Sequence, residues 1–254
     1  MNESTKFAIL TPTYNRPKEL MRAIESVRVQ ANKNYLHIII NDSPDADYSN
    51  VEKFTSSDPK IIYIKNAENI GKNASLNKTL DYLRGQNFTG YIIFLDDDDW
   101  LAPDCLETFS KKISETKPKW LVSNRSYEDG TSITKNNTGR DTISYNLDYL
   151  ICRTFSGDAT HAIDFAVAGK CQLPSTIKNA DEWIFFSAIK KKVGRFLYID
   201  TAGTYTNGYR DDGLTTSPTK IALQRTFSEM MSAGIVSPAT LAYFVLRVIR
   251  RVYK

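Results

Sequence analysis

The run Tyr91-Ile92-Ile93-Phe94-Leu95 ends without transition in Asp96-Asp97-Asp98-Asp99, followed by Trp100-Leu101-Ala102-Pro103. The apolar part is short, β-branched and aromatic, with no alternation, which is the pattern of a strand buried on both faces. The four carboxylates then fall where that strand leaves its sheet. In open α/β sheets this carboxyl edge is where ligands bind. Four adjacent aspartates repel one another and gain nothing from a core, whereas a cation relieves the repulsion. Mg²⁺ and Mn²⁺ favour such hard oxygen donors. A plain acidic cap on the helix after Pro103 would need one aspartate rather than four.

Upstream, the same alternation of strand and polar exit repeats. Phe7 to Leu10 reads as a first strand and runs into Thr11-Pro12-Thr13-Tyr14-Asn15-Arg16-Pro17. Pro17 suits the first turn of a helix, and Met21, Ile24, Val27 and Ala31 follow at helical spacing. Leu36 to Ile40 is a second strand, ending in Asn41-Asp42-Ser43. Ile61 to Ile64 is a third, leading through Asn66 and Asn69 to Gly71 and a helix with Leu76, Leu80 and Leu83. Alternating strands and helices over about 100 residues specify a parallel sheet with right-handed crossovers.

Beyond Pro103 the pattern changes. A helix is predicted over Leu106 to Ile113, a strand at Trp120 to Ser123, and a loop-like stretch over 125–145. A mixed region covers Leu147 to Leu173, a helix opens near Asp181-Glu182-Trp183, and a short strand spans Phe196 to Ile199. The expected fold class is α/β: one Rossmann-like domain over 1–216, with a mainly parallel central sheet flanked by helices and a C-terminal helical extension over 217–254. Residues 1–103 form its first half and 104–216 complete the site.

Composition excludes more than it identifies. The 254 residues carry 33 basic and 29 acidic side chains, net +4, too balanced a charge to argue for a nucleic-acid partner. Three scattered cysteines, Cys105, Cys152 and Cys171, give neither a disulfide framework nor zinc spacing, and point to a reducing compartment. The polar start shows no signal peptide, and no apolar run approaches the ~20 residues of a spanning helix.

Taken in order, Thr11 to Pro17, Asn41-Asp42-Ser43, Asn66 to Asn73 and Leu95 to Pro103 resemble the motifs of the family 2 glycosyltransferases of GT-A fold. The resemblance covers residues 6–125 strongly and 175–216 moderately, and it implies that 1–103 form a nucleotide-sugar-binding half and 104–216 an acceptor-binding and catalytic-base half. It implies transfer of a sugar from a nucleotide-sugar, most readily a UDP-sugar, with inversion and with Mn²⁺ or Mg²⁺. The acceptor would be a glycan or a lipid-linked oligosaccharide of a surface polysaccharide.

Residue by residue, the resemblance implies the following. Asp96 lies near the ribose and Asp98 on the metal, as in the family's Asp-x-Asp motif, with Asp97 as an extra donor-side carboxylate and Asp99 as a second metal contact. Asp42 reads the nucleobase edge. Thr11, Thr13 and Tyr14 form the nucleoside floor. Lys72 and Arg16 reach the diphosphate. Glu182 is the general base, with Asp181 its rival, since the family often carries Glu-Asp where this chain has Asp-Glu. The loop Tyr209 to Thr215 covers the donor through Arg210, and Asp212 replaces the family's histidine, either at the metal or as part of a lid alone.

His37, inside a strand, reads as structural. His161 reads as packing, with contact to the acceptor, shared with Asp158, as the alternative. In the final stretch Arg247, Arg250, Arg251 and Lys254 share one helical face, and Leu241, Phe244, Val245, Val248 and Val252 populate others. This describes a cytoplasmic chain that either docks this helix on its own core or lays it on the anionic inner face of the cytoplasmic membrane. Two other functional classes compete. A sugar nucleotidylyltransferase would need a Gly-rich basic loop after the first strand, and a non-catalytic scaffold would need neither Asp98 nor Glu182.

Overall fold

The computed structural model describes residues 5–176, 182–208, 219–232 and 238–252. Its first half runs β1 (Phe7–Thr13), α1 (Pro17–Arg28), β2 (Tyr35–Asn41), α2 (Ser49–Thr55), β3 (Ile61–Lys65), α3 (Lys72–Gly85) and β4 (Tyr91–Phe94). The strands β3, β2, β1 and β4 lie side by side and all parallel. Register then decides what shares an edge. Thr13 pairs with Asn41, Asn41 with Lys65, and Leu10 with Phe94. The four loops that follow these strands therefore emerge together.

Successive residues of a strand face opposite sides of the sheet. In β1, Ala8 and Leu10 join the core under α3, with Leu76, Leu80 and Leu83, while Phe7 and Ile9 join the core under α1, with Ala23 and Val27. All nine are essentially inaccessible to water. At roughly 2 kcal/mol for each large apolar side chain removed from water, burial outweighs any local propensity in holding these helices on the sheet.

The second half comprises β5 (Asp99–Leu101), α4 (Cys105–Thr116), β6 (Trp120–Tyr127), β7 (Lys135–Asn136) and β8 (Thr142–Ile143). A π-helical turn (Tyr145–Ile151) precedes β9 (Phe155–Ser156), β10 (Ala159–Asp164), α5 (Phe165–Ala168), α6 (Trp183–Val193) and β11 (Phe196–Thr206). Two helices, α7 (Thr219–Ser232) and α8 (Pro238–Val252), close the chain. The sheet continues β4-β10-β6-β11-β5, with β8 also on β11. Only β6 and β11 are parallel here, since β10 runs antiparallel to both β4 and β6. The parallel pairing expected of most of the sheet is thus concentrated in its first half.

Two further expectations change. The stretch 125–145 is not a plain loop: β6 continues to Tyr127, and β7 pairs with β9 in a small separate sheet. The polar residues of β6 looked like loop because their partners come from distant strands. Asn124 bonds Tyr198 and Asp200, and Arg125 reaches Asp99 and Asp158. The short strand expected at Phe196 to Ile199 extends to Thr206 through register shifts at Ile199/Ala202 and Ala202/Thr204. Past this bulge β11 pairs with β5, tying Asp99 to Thr206. Gly203 makes the crossing feasible, since a Cβ there would lie 2.1 Å from the Ser123 hydroxyl and 2.8 Å from Thr160.

His37 and His161 are interior groups. His37 Nε2 lies 2.9 Å from Thr11 Oγ1, and His161 Nδ1 accepts from the Trp120 indole at 3.0 Å while the ring stacks on Phe186. Burial drives both pKa values down to about 3, so both rings are neutral. His161 packs, as expected. All three cysteines are free thiols.

Candidate active site

The loop after β1 carries Tyr14, Asn15 and Arg16. Tyr14 is half exposed and, with Ser43, Pro44, Asp45 and Asn69, lines a cavity of about 250 Å³. Its backbone N–H donates to Asp97 Oδ2 at 3.3 Å, so the cavity adjoins the acidic loop. An aromatic face beside an open cavity suits a flat heterocycle. Thr11 and Thr13, expected as floor, are buried instead: Thr11 faces His37, and Thr13 Oγ1 lies 2.9 Å from the Tyr48 hydroxyl.

Asp42 is the anchor of the third loop. Its Oδ1 accepts from Asn66 Nδ2 and the Ile70 N–H, and its Oδ2 from the Gly71 N–H at 2.7 Å. It is 3% exposed and does not line the cavity, so among the described residues its bonds are those of a structural carboxylate. The buried Gly71, at φ +90°, is a conformation open to glycine, and it caps α3 so that Lys72 begins the helix.

The acidic quartet splits into two pairs. Asp96 and Asp98 are partly exposed, at 41% and 27% of their side chains, whereas Asp97 and Asp99 are 5% exposed as residues. Arg16 Nη1 bridges Asp97 Oδ1 at 3.0 Å and Asp98 Oδ2 at 2.9 Å. Burial raises Asp97 to about 6 against the pull of Arg16, and raises Asp99 to about 6 against that of Arg125. Asp99, expected as a metal contact, lies in β5 with its Oδ1 accepting from Arg125 Nη2 at 2.8 Å. The loop register sends alternate carboxylates outward and inward, and the inward ones meet arginines.

The open pair supplies hard oxygens, and each already attracts a protein cation: Lys72 on Asp96 and Arg16 on Asp98. This donor set fits Mg²⁺ or Mn²⁺, with ligand oxygens completing the shell. Among the described residues no three His, Cys, Asp or Glu side chains form a ready-made metal centre.

Opposite stands Glu182, immediately before α6. Lys72 Nζ lies 2.7 Å from Asp96 Oδ1 and 2.9 Å from Glu182 Oε1. Burial raises the Glu182 pKa, Lys72 opposes, and Asp96 and Asp158 add to the rise. For Lys72 burial acts downward, but the two carboxylates overcome it and hold the ammonium well above its usual range. For Asp96 burial acts upward, and Lys72 outweighs it, leaving that carboxyl below the usual range. Asp181, Arg210, Asp212 and the loop from Tyr209 to Thr215 lie outside the described residues.

Three residues of the site escaped the sequence reading. Arg125 ties Asp99 to Asp158 from inside the sheet. Arg22, on α1, donates to the Asp98 carbonyl at 2.8 Å and stacks on Trp100 at 3.8 Å from the ring centroid, fixing the acidic loop from outside. Tyr48 receives or donates at Thr13 and accepts from the Arg16 N–H. A lone arginine at the end of β6 was the one available signal.

A parallel half-sheet with a cavity and an acidic loop at its carboxyl edge, completed by a mixed half, is a GT-A architecture. The chain belongs to glycosyl transferase family 2, whose model matches residues 8–171. It is similar to glycosyltransferase GlyA of Streptococcus pneumoniae, 34% identical over 47% of this chain and 16% of that one. It is also similar to TuaG of Bacillus subtilis, a candidate teichuronic acid biosynthesis glycosyltransferase, 27% identical over 72% of each. The chain spans 16% and 34% of the length of the first two curated relatives it matches. Among solved structures it resembles S. aureus TarS 1–349 in complex with UDP-GlcNAc, with TM-score 0.72 and 17% identity over 97% of this chain and 71% of that one. It also resembles the mannosyltransferase PcManGT of Pyrobaculum calidifontis in complex with GDP-Man and Mn²⁺, with TM-score 0.64 and 14% identity over 98% and 70%.

Proposed function

We propose that this chain is an inverting glycosyltransferase that moves a sugar from a nucleotide-sugar, a UDP-sugar first, to a hydroxyl of a glycan or lipid-linked acceptor in surface polysaccharide synthesis. The observation that supports it most is the shared contact of Lys72, which puts Glu182 across from Asp96 at the width of one ammonium. An inverting displacement needs a base on the face opposite the leaving group. The base of the donor stacks on Tyr14, and its diphosphate extends toward Lys72, Arg16 and the open carboxylates. Glu182 takes the acceptor hydroxyl's proton as the new C–O bond forms and the bonding pair of the old one leaves with the diphosphate. Asp98, with Asp96 beside it, would hold a divalent cation, whose charge offsets that developing on the diphosphate. TarS with UDP-GlcNAc and PcManGT with GDP-Man and Mn²⁺ support this class of donor and cation.

Thermal unfolding with UDP-, GDP- and dTDP-sugars, each with and without Mn²⁺, tests the reading. A donor at about 100 times its Kd stabilises by about 2.7 kcal/mol, a rise of several degrees in Tm. One nucleotide class should raise Tm only with the cation. Silence from every nucleotide-sugar would remove the proposal.

The same reading includes an anionic membrane surface. No helix among the described residues is long and apolar enough to cross a membrane. Instead α8 leans inward through Tyr243 on Trp183 and Phe244 on Phe227, and shows Leu241, Val245 and Ile249 outward at 46–51% exposure, one helical turn apart. The sequence adds Arg247, Arg250, Arg251 and Lys254 without an acid among them. Flotation with phosphatidylglycerol vesicles should recover the chain, and the combined variant L241S/V245S/I249S several-fold less. Equal recovery would separate α8 from any membrane role.

A further inference from the structure

Lys72 occupies the place where the proposed reaction needs room. Its ammonium touches the donor-side carboxylate Asp96 and the base Glu182 at once, at 2.7 and 2.9 Å. The sugar ring and the acceptor hydroxyl have to lie between those two carboxylates, and neither fits while both contacts stand. The Lys72 backbone cannot drift away to make space, because Asp42 holds Gly71 beneath it. The side chain, though, is a flexible four-carbon stem with a third donor to spare.

We propose that Lys72 is a latch that donor binding opens: without donor it straps Glu182 to Asp96 across the site, and the donor's diphosphate draws its ammonium off Glu182. A diphosphate offers more than one negative charge where Glu182 offers one, so the exchange runs toward the phosphate. Two consequences follow. Acceptor enters after donor, since the gap between the carboxylates opens only then. The base is also sharpened at the same moment: among the described residues the charged groups facing Glu182 are Lys72 from α3, Asp96 after β4 and Asp158 before β10, and with the ammonium gone the two of these that remain are both negative. Lys72 is thus a positioning residue as well as a diphosphate contact. The inference rests on the reading of the site as a nucleotide-sugar transferase.

A water-soluble carbodiimide joins an amine to a carboxylate only when they touch. Treating the full chain with it and mapping the products by mass spectrometry should find Lys72 coupled to Glu182 in the free protein. Coupling should fall by about tenfold or more at saturating nucleoside diphosphate with Mg²⁺, using the diphosphate that most raises Tm. Mg²⁺ alone should leave it in place. The second readout is a pH profile of donor turnover with water or acceptor. In Lys72→Met the acidic limb of kcat/KM should move up by about one unit, because the free enzyme loses the ammonium, while that of kcat stays put. Lys72→Arg should keep the wild-type limb. No coupling in the free chain, coupling undiminished when the diphosphate is demonstrably bound, or equal movement of both limbs would each overturn the latch. Failure of every diphosphate to bind would instead strike the transferase reading itself.

Discussion

Glu182→Gln should bind the nucleotide-sugar at least as tightly as the parent does, since Lys72 is held less firmly, and turn over about 10²–10⁴-fold more slowly, the usual contribution of a general base. Glutamine keeps the size and the hydrogen-bonding oxygen, so Lys72 retains a partner and the start of α6 is unchanged. What it loses is the ability to hold the acceptor's proton. The raised Glu182 pKa is the reason to expect a full effect: burial and the Asp96 and Asp158 charges make this carboxylate more eager for a proton than an ordinary surface glutamate. Single-turnover rates beside donor-dependent Tm shifts separate chemistry from binding. Turnover at the parental rate would transfer the role to Asp181.

Asp98→Ala should erase the part of donor binding that depends on the divalent cation and slow turnover by roughly 10³-fold, the scale seen when a stabiliser of developing charge is removed. The fold should survive. Asp98 is open, and its partner Arg16 keeps Asp97 at 3.0 Å. Arg22 grips the Asp98 carbonyl rather than its side chain, so the loop stays anchored. Asp99→Asn serves as the contrast: it lies under Arg125 in β5, so it should cost stability rather than cation dependence. Titration of Mn²⁺ against donor-dependent Tm reads the difference. Unchanged donor binding in Asp98→Ala without cation would discredit the role of Asp98.

Much of the fold was legible because the first 100 residues repeat one physical rule: a doubly buried strand, a polar exit, an amphipathic helix. The strands, α1 and α3 follow from periodicity, and the family motifs at the strand exits follow from their order. The second half was less legible for an equally physical reason. Asn124 and Arg125, past the strand read from Trp120 to Ser123, are polar, and only partners far along the chain carry the strand on through them. The C-terminal helix likewise looked like one amphipathic element, but packing divides it, sending Tyr243 and Phe244 inward and Leu241, Val245 and Ile249 out.

The sequence by itself determined the α/β class, the family and the list of chemically capable side chains, because local periodicity and motif order are properties of neighbours. Only the tertiary structure decided how those side chains are employed. It turned Asp97 and Asp99 inward onto arginines, spent Asp42 on the Gly71 loop, and joined Asp96 to Glu182 through one lysine. Those outcomes depend on strand register and on which distant charges meet at the sheet's edge, and no short stretch of sequence carries that information.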